Sequence, residues 1–338
     1  VLVVIPCLNE ATHLRRLVER LVVDVQEFDA MIVIADGGST DGTVEIAEDL
    51  AGEHPRVVLL HNPGRIQSSA INLAVERFGA EEDFLIRVDA HADYPDDFCA
   101  RLVASAERSN ADSVVVAMNT VGDSGFQHSV ARAQNSRLGN GGAAHRNIGS
   151  GRWVDHGHHA LMRLSSFREI GGYDSTFSHN EDVEYDIRLG RAGGRIWLTD
   201  EPTIDYYPRA TASALLRQYA NFGRGVSRTR LKHRVPLTRR QAAPMIIAPA
   251  VVAAIPAIAL AAAIPGGWAF ALLAVPAAAW ALACAAAGIV WRDPGAGVAL
   301  GAMHLGWSLG FWAGLLRAPF ARRPVVVEAA VDAAAGRS

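Results

Sequence analysis

The chain has 338 residues, 50% of them hydrophobic, and a formal net charge of −3, which leaves room for one large domain or two modest ones. The charge is unevenly placed: residues 1–208 hold 18 basic against 32 acidic side chains, 209–240 hold nine basic and no acidic ones, and 241–338 hold five and three. The three cysteines (Cys7, Cys99, Cys284) are dispersed, which excludes the spacings of a disulfide framework or a cysteine metal site.

The acidic part comes first. Residues 1–5 are a short β-branched apolar run closed by Pro6, the pattern of a buried parallel strand. Asn9-Glu10-Ala11-Thr12 opens a helix with Leu14, Leu17, Val18 and Leu21 on one face. A second strand over 31–35 ends in Asp36-Gly-Gly-Ser-Thr-Asp41-Gly-Thr43, where Gly37, Gly38 and Gly42 permit tight turns beside a ligand. A helix, a third strand (57–61), a third helix (68–78) and a fourth strand (84–88) follow, the last ending in Asp89-Ala-His91-Ala-Asp93. Such alternation predicts a doubly wound α/β sheet with its ligand at the carboxyl ends of the strands. Neither a Gly-x-Gly-x-x-Gly turn after the first strand nor a Gly-Lys-Ser/Thr motif is present, so a dinucleotide fold and a P-loop are not expected.

Further on, 113–118 is apolar, 139–152 is a polar Gly-rich stretch, and Trp153 to His159 carries three histidines, His156, His158 and His159. The polar stretch is expected to be an acceptor-side lid, and the histidines to pack a loop, with acceptor or phosphate contact as the alternative. Gly171-Gly-Tyr173-Asp174 is a turn leading to Asn180-Glu181-Asp182, where an apolar helical period begins. Two carboxylates at a helix start suit the macrodipole, so a capped helix is the plain alternative to a catalytic pair. Likewise Asp36 could simply cap its turn.

Pro6-x-x-Asn9-Glu10, Asp36-Gly-Gly-Ser-Thr-Asp-Gly-Thr, Asp89-Ala-His and Asn180-Glu-Asp, in this order over residues 1–210, resemble the inverting family 2 glycosyltransferases. Asn62-Pro-Gly-Arg65, Ser69-Ala-Ile-Asn72, Arg87-Val-Asp-Ala-His91 and an apolar tail resemble most the membrane-bound exopolysaccharide glycosyltransferases of the succinoglycan type. The resemblance implies a GT-A (nucleotide-diphospho-sugar transferase) domain with a mostly parallel central sheet. It implies that Pro6, Leu8 and Glu10 line a uridine pocket, that Asp36 accepts from the base, and that Gly38 and Arg65 belong to the same nucleotide site. Asp89, His91 and Asp93 would hold a divalent metal against the diphosphate. The family's usual Asp-x-Asp is Asp-x-His here, and imidazole favours Mn²⁺ over Mg²⁺. Asp182 would be the general base of a single in-line displacement, with Glu181 orienting the acceptor or the helix. The implied reaction moves glucose from UDP-glucose to a polyprenyl-diphosphate-linked saccharide, with other exopolysaccharide assembly proteins as partners and no nucleic acid. Alternatives are a polyprenyl-phosphate glycosyltransferase, a processive synthase, or a non-catalytic membrane scaffold. Gln218-Tyr-Ala-Asn221-Phe222 stands where processive relatives carry Gln-x-x-Arg-Trp, which disfavours processivity.

Residues 209–240 have apolar positions at helical spacing and cations on other sides, a pattern expected to lie on anionic lipid as an interfacial helix. From 241 to 318 come three uncharged apolar runs, 244–264, 268–290 and 296–316, each close to the ~20 residues of a bilayer span; 319–338 is a tail. With no signal peptide preceding the first strand, residues 1–208 are expected in the cytoplasm, anchored to a bacterial inner membrane. Three spans would place Arg317, Arg322 and Arg323 outside, against the positive-inside rule. Either one run is re-entrant or the rule yields.

Overall fold

The computed structural model describes residues 1–123, 125–141 and 151–317. The expected tail 319–338 and most of the expected lid 139–152 lie outside the described residues. Eight strands, β1 Leu2–Cys7, β2 Met31–Asp36, β3 Val57–His61, β4 Phe84–Arg87, β5 Ser113–Thr120, β6 Arg152–Val154, β7 His158–Arg163 and β8 Ile196–Tyr206, form one sheet in the order β3-β2-β1-β4-β7-β5-β8-β6. Pairs β3-β2, β2-β1, β1-β4 and β5-β8 are parallel; β7 runs antiparallel between β4 and β5, and β6 antiparallel to β8. The sheet is therefore mixed but mostly parallel, as expected of a GT-A-like domain.

Helices α1 Leu14–Asp24, α2 Thr43–Glu53, α3 Gln67–Phe78, α4 Phe98–Ser109, α5 Gly125–Asn135, α6 Arg137–Asn140, α7 Leu164–Glu169 and α8 Glu181–Arg191 complete the α/β part of the chain. Alternation along β1 decides the layers, because successive side chains point to opposite faces. Val3 and Ile5 pack with Leu17 and Leu21 of α1, Leu50 of α2 and Leu102 of α4. Leu2 and Val4 pack on the other face with Ile71 of α3, Phe167 of α7 and Tyr185 and Leu189 of α8. The segment expected to be loop around the three histidines instead supplies β6 and the start of β7. Its strand character comes from neighbours on both sides of β7, since its own apolar run is only Ala160, Leu161 and Met162.

Beyond the sheet lie α9 Ala212–His233, α10 Arg239–Met245, α11 Ile247–Ala263, a 3₁₀ turn Gly267–Ala274, α12 Val275–Val290 and α13 Pro294–Arg317. Three helical stretches, Gln241–Ala263, Gly267–Val290 and Pro294–Arg317, are long and apolar enough to cross a membrane. Part of the basic face of α9 is tied to protein. Arg228 donates to the carbonyl and hydroxyl oxygens of Thr176 and lies over the Phe177 ring, and Lys232 reaches Asp174 and Glu184. Arg217, Arg224, Arg228 and Lys232 all remain exposed to solvent in part.

Candidate active site

The loops after β1 and β2 are knitted to each other. The Asn9 N–H donates to Ser39 Oγ and the Thr40 N–H to Asn9 Oδ1; the Glu10 N–H donates to Thr43 Oγ1, and the Ala11 N–H to Asp41. This explains a motif that sequence reasoning took for ligand turns: its hydroxyls and Asp41 fix the Asn9-Glu10 loop. Asp36, only 2% exposed, accepts the Gly38 N–H at 2.8 Å and the Ser39 N–H at 3.1 Å, so its carboxylate shapes its own turn. Gly37 is pressed between the Arg65 backbone and the Cys7 carbonyl, where a Cβ would sit 3.2 Å from Arg65 O. Gly38 follows at φ 89°, a conformation that glycine adopts without strain.

A cleft of about 1550 Å³ opens over these strand ends. Pro6, Leu8, Glu10 and Arg65 line one end, while Asp36 and Gly38 do not reach its wall. Arg87, Asp89, His91, His158, Glu181 and Asp182 line the middle. Phe222, Ile247, Trp280 and Trp307 line the far end, so polar chemistry and apolar helices share one continuous space.

Arg87 organises the middle. It closes β4 on the face shared with Leu85, is 4% exposed, and points its guanidinium between two carboxylates. Its NH1 donates to Asp182 Oδ1 at 2.6 Å, and its Nε stands 3.7 Å from Asp89 Oδ1. Burial opposes the charge, yet Asp182 and Asp89 hold the guanidinium well above its ordinary pKa. The Tyr173 hydroxyl donates to the same Asp182 oxygen at 3.0 Å. His158 spans the other side, with Nδ1 3.4 Å from Arg87 NH2 and Nε2 3.6 Å from Asp89 Oδ2. Motif reading assigns no role to Arg87 or Tyr173, and expects His158 to pack a loop or to contact acceptor or phosphate. A lone arginine ending a buried strand and a histidine opening another were the available signals.

The expected metal residues separate. Asp89 lies in the cleft; burial works against its charge, but Arg87, His158 and His91 hold it below the usual carboxylate range. His91 lies beside it with Nδ1 3.1 Å from Glu10 Oε1; that bond outweighs burial and raises its pKa, with Asp89 adding to the rise. Asp93 instead pairs with Arg16 at 2.5 Å and lines a different hollow, of about 440 Å³. Among the described residues no three acidic, histidine or cysteine side chains are grouped to enclose a metal. One carboxylate with imidazoles nearby is an incomplete set, the kind a substrate's phosphate oxygens complete for Mg²⁺ or Mn²⁺.

The helix bearing the candidate base is held from behind. Asn180 caps α8 at φ 67° and donates its side-chain amide to Thr229 of α9 at 2.8 Å. Glu184, fully buried, accepts from Arg188 at 2.7 Å, Lys232 at 2.6 Å and His233 at 2.9 Å. One turn past Asp182, Asp186 meets His156 Nδ1 at 2.6 Å.

Burial, with Asp182 adjacent, pushes the Glu181 carboxyl up to about 7 from the ordinary 4.5. The folded protein thus binds this proton more tightly than the unfolded chain. The associated stability is full below pH 4.5 and is lost as pH rises toward 7. Glu181→Gln should flatten that slope, read as the thermal midpoint in detergent from about pH 4 to 8; an unchanged slope would assign it to another group.

Residues 2–171 match the family model Glycosyl transferase family 2. Over 323 residues the chain is 52% identical to the succinoglycan biosynthesis protein ExoA of Rhizobium meliloti (strain 1021), covering 93% of this chain and 94% of that one. It is 22% identical over 231 residues to a dolichyl N-acetyl-alpha-D-glucosaminyl phosphate 3-beta-D-2,3-diacetamido-2,3-dideoxy-beta-D-glucuronosyltransferase of Methanococcus voltae, covering 65% and 71%. Among solved structures, a mannosyltransferase from Pyrobaculum calidifontis in complex with GDP-Man and Mn²⁺ shares the fold, with TM-score 0.57, 19% identity, and coverage of 90% of this chain and 86% of that one. With the same α/β sheet and a family match from the first strand to the turn before α8, the chain belongs to glycosyl transferase family 2 and is a glycosyltransferase.

Proposed function

We propose that the protein is an inverting transferase that moves glucose from UDP-glucose to a polyprenyl-diphosphate-linked saccharide in exopolysaccharide assembly, working at the cytoplasmic face of a bacterial inner membrane. The observation that carries this reading is the single cleft in which Asp89 and Asp182 flank Arg87 and which continues to the apolar helices. The 52% identity to a succinoglycan biosynthesis protein supports the choice of pathway.

Pro6, Leu8, Glu10 and Arg65 bind the nucleotide at the end of the cleft they line, and Asp36 with Gly38 sets the shape of that pocket from behind. Asp89, with His91 beside it, holds Mn²⁺ or Mg²⁺ together with the donor's phosphates; such a cation offsets charge on a departing diphosphate. Asp93, paired with Arg16 in the neighbouring hollow, stands outside this proposed cation site. Asp182 accepts the proton of the acceptor hydroxyl as that oxygen bonds to the anomeric carbon and the carbon–diphosphate bond breaks. Glu181 sits beside it as a largely buried carboxyl that fixes the start of α8.

The test offers the protein in lipid a panel of labelled nucleotide sugars with membrane-lipid acceptors. Transfer from UDP-glucose is expected, lost on chelation and restored by Mn²⁺. Preference for another nucleotide sugar would overturn the donor, and transfer that survives chelation would overturn the role of Asp89 and His91.

A further inference from the structure

We propose that α13, although apolar and long enough to span a bilayer, stays on the catalytic side of the membrane, and that only the α11–α12 hairpin enters the hydrocarbon. The inference does not depend on the identity of donor or acceptor. It rests on what covers α13 along its length.

At its start, Asp293 Oδ1 accepts from Ser129 of α5 at 2.7 Å. One to three turns on, Ala299 and Met303 share an apolar cluster with Val130 and Ala133 of α5 and Leu215 of α9. His304 Nε2 lies 3.0 Å from the Leu138 carbonyl of α6. From there α13 runs alongside α9 in the same direction: Gly306 abuts the Leu216 carbonyl, Gly310 the Ala220 carbonyl, and Gly314 the Ser227 hydroxyl. Protein therefore accompanies α13 from Asp293 to Gly314, about 30 Å at 1.5 Å per residue. That equals the thickness of the hydrocarbon core.

A crossing α13 would drag its companions with it. The exposed side chains of Arg132 and Arg137 would be carried into the hydrocarbon together with the polar 136–141 segment, where charged groups are costly. Arg132 is 52% exposed on its side chain and would have no water there. Burial separates the three apolar helices in the same sense. In its most apolar stretch 39% of the residues of α13 are buried in protein, against 22% for Gln241–Ala263 and 6% for Gly267–Val290.

The hairpin has the opposite character. Its base is fixed where the Ala248 N–H donates to Ser308 Oγ and where Cys284 and Ala287 pack on Leu300. Beyond that base, Ile255, Ile258, Trp268, Leu272 and Leu282 are exposed, Trp268 at 72%. From Ala248 to Ala263 is about 23 Å of helix. The hairpin enters and returns, so both its ends lie on one side, and the basic residue closing α13, Arg317, remains with the catalytic domain. That removes the conflict with the positive-inside rule.

Two measurements on the full chain test this. Green fluorescent protein and alkaline phosphatase are fused in turn before Val1 and after Ser338. Both ends should give fluorescence without phosphatase activity. An active phosphatase after Ser338 paired with fluorescence before Val1 would overturn the proposal. Arg317→Cys is then probed with a membrane-impermeant maleimide; the native cysteines are all buried and stay silent. Labelling is expected in inverted vesicles and absent in intact cells, and the reverse pattern would equally overturn it.

Discussion

Asp182→Asn is expected to lower sugar transfer by about 10²- to 10⁴-fold, the usual span for loss of a general base, while UDP still binds. The variant suits the question because asparagine keeps an oxygen that can accept from Arg87 and Tyr173, which now meet Asp182 Oδ1 at 2.6 and 3.0 Å. The geometry of the α8 start should survive, and what disappears is the ability to take a proton. Arg87 loses one anionic neighbour but retains Asp89 at 3.7 Å. Single-turnover transfer and calorimetric UDP binding separate chemistry from folding. Near-full transfer in this variant would hand the base role to Glu181, whose carboxyl at about 7 is the nearest competitor. Glu181→Gln in parallel decides between them, since it should retain most of the rate.

Arg87→Met should be the most damaging single change to the site's stability. The guanidinium is buried with Asp182 on one side and Asp89 on the other, and Glu181 adds a third acid nearby. Methionine fills part of the volume but leaves those carboxylates facing one another in a poorly solvated place. Removing one partner of a buried ion pair costs about 3–5 kcal/mol, and two partners are stranded here. Denaturation in detergent should show that loss. Any surviving transfer should have its acid limb moved to higher pH, because the remaining carboxylates hold their protons more tightly. Arg87→Lys should restore little, as an ammonium cannot reach both acids with a planar fork. A wild-type midpoint and pH profile for the methionine variant would show that Arg87 does not link the two acids.

The half of the sheet running from β3 to β4 was legible in advance because buried parallel strands read as unbroken apolar runs. That Asp89 ends a strand and Asp182 opens a helix was legible from the pattern alone. The roles proposed for them came from the motif resemblance, since a carboxylate at a helix start reads equally as a cap. What escaped has physical causes. The strand β7 is antiparallel and held mostly by its neighbours, so its short apolar core looked like part of a histidine loop. Arg87 carries no periodic signal, and its importance comes from residues 89, 173 and 182, which meet only in three dimensions. Asp93 shares a motif with Asp89 but is drawn to Arg16 of α1. Hydropathy could not separate α13 from its neighbours, because an apolar side chain is equally content against lipid and against protein.

The double grip of Arg87 and Tyr173 on one oxygen of Asp182 bears on fidelity as well as rate. A carboxylate already engaged by two donors is a poor base for any water that wanders into the cleft. On the proposed mechanism, a resting site of this kind would spare a bound sugar donor from hydrolysis until its acceptor arrives.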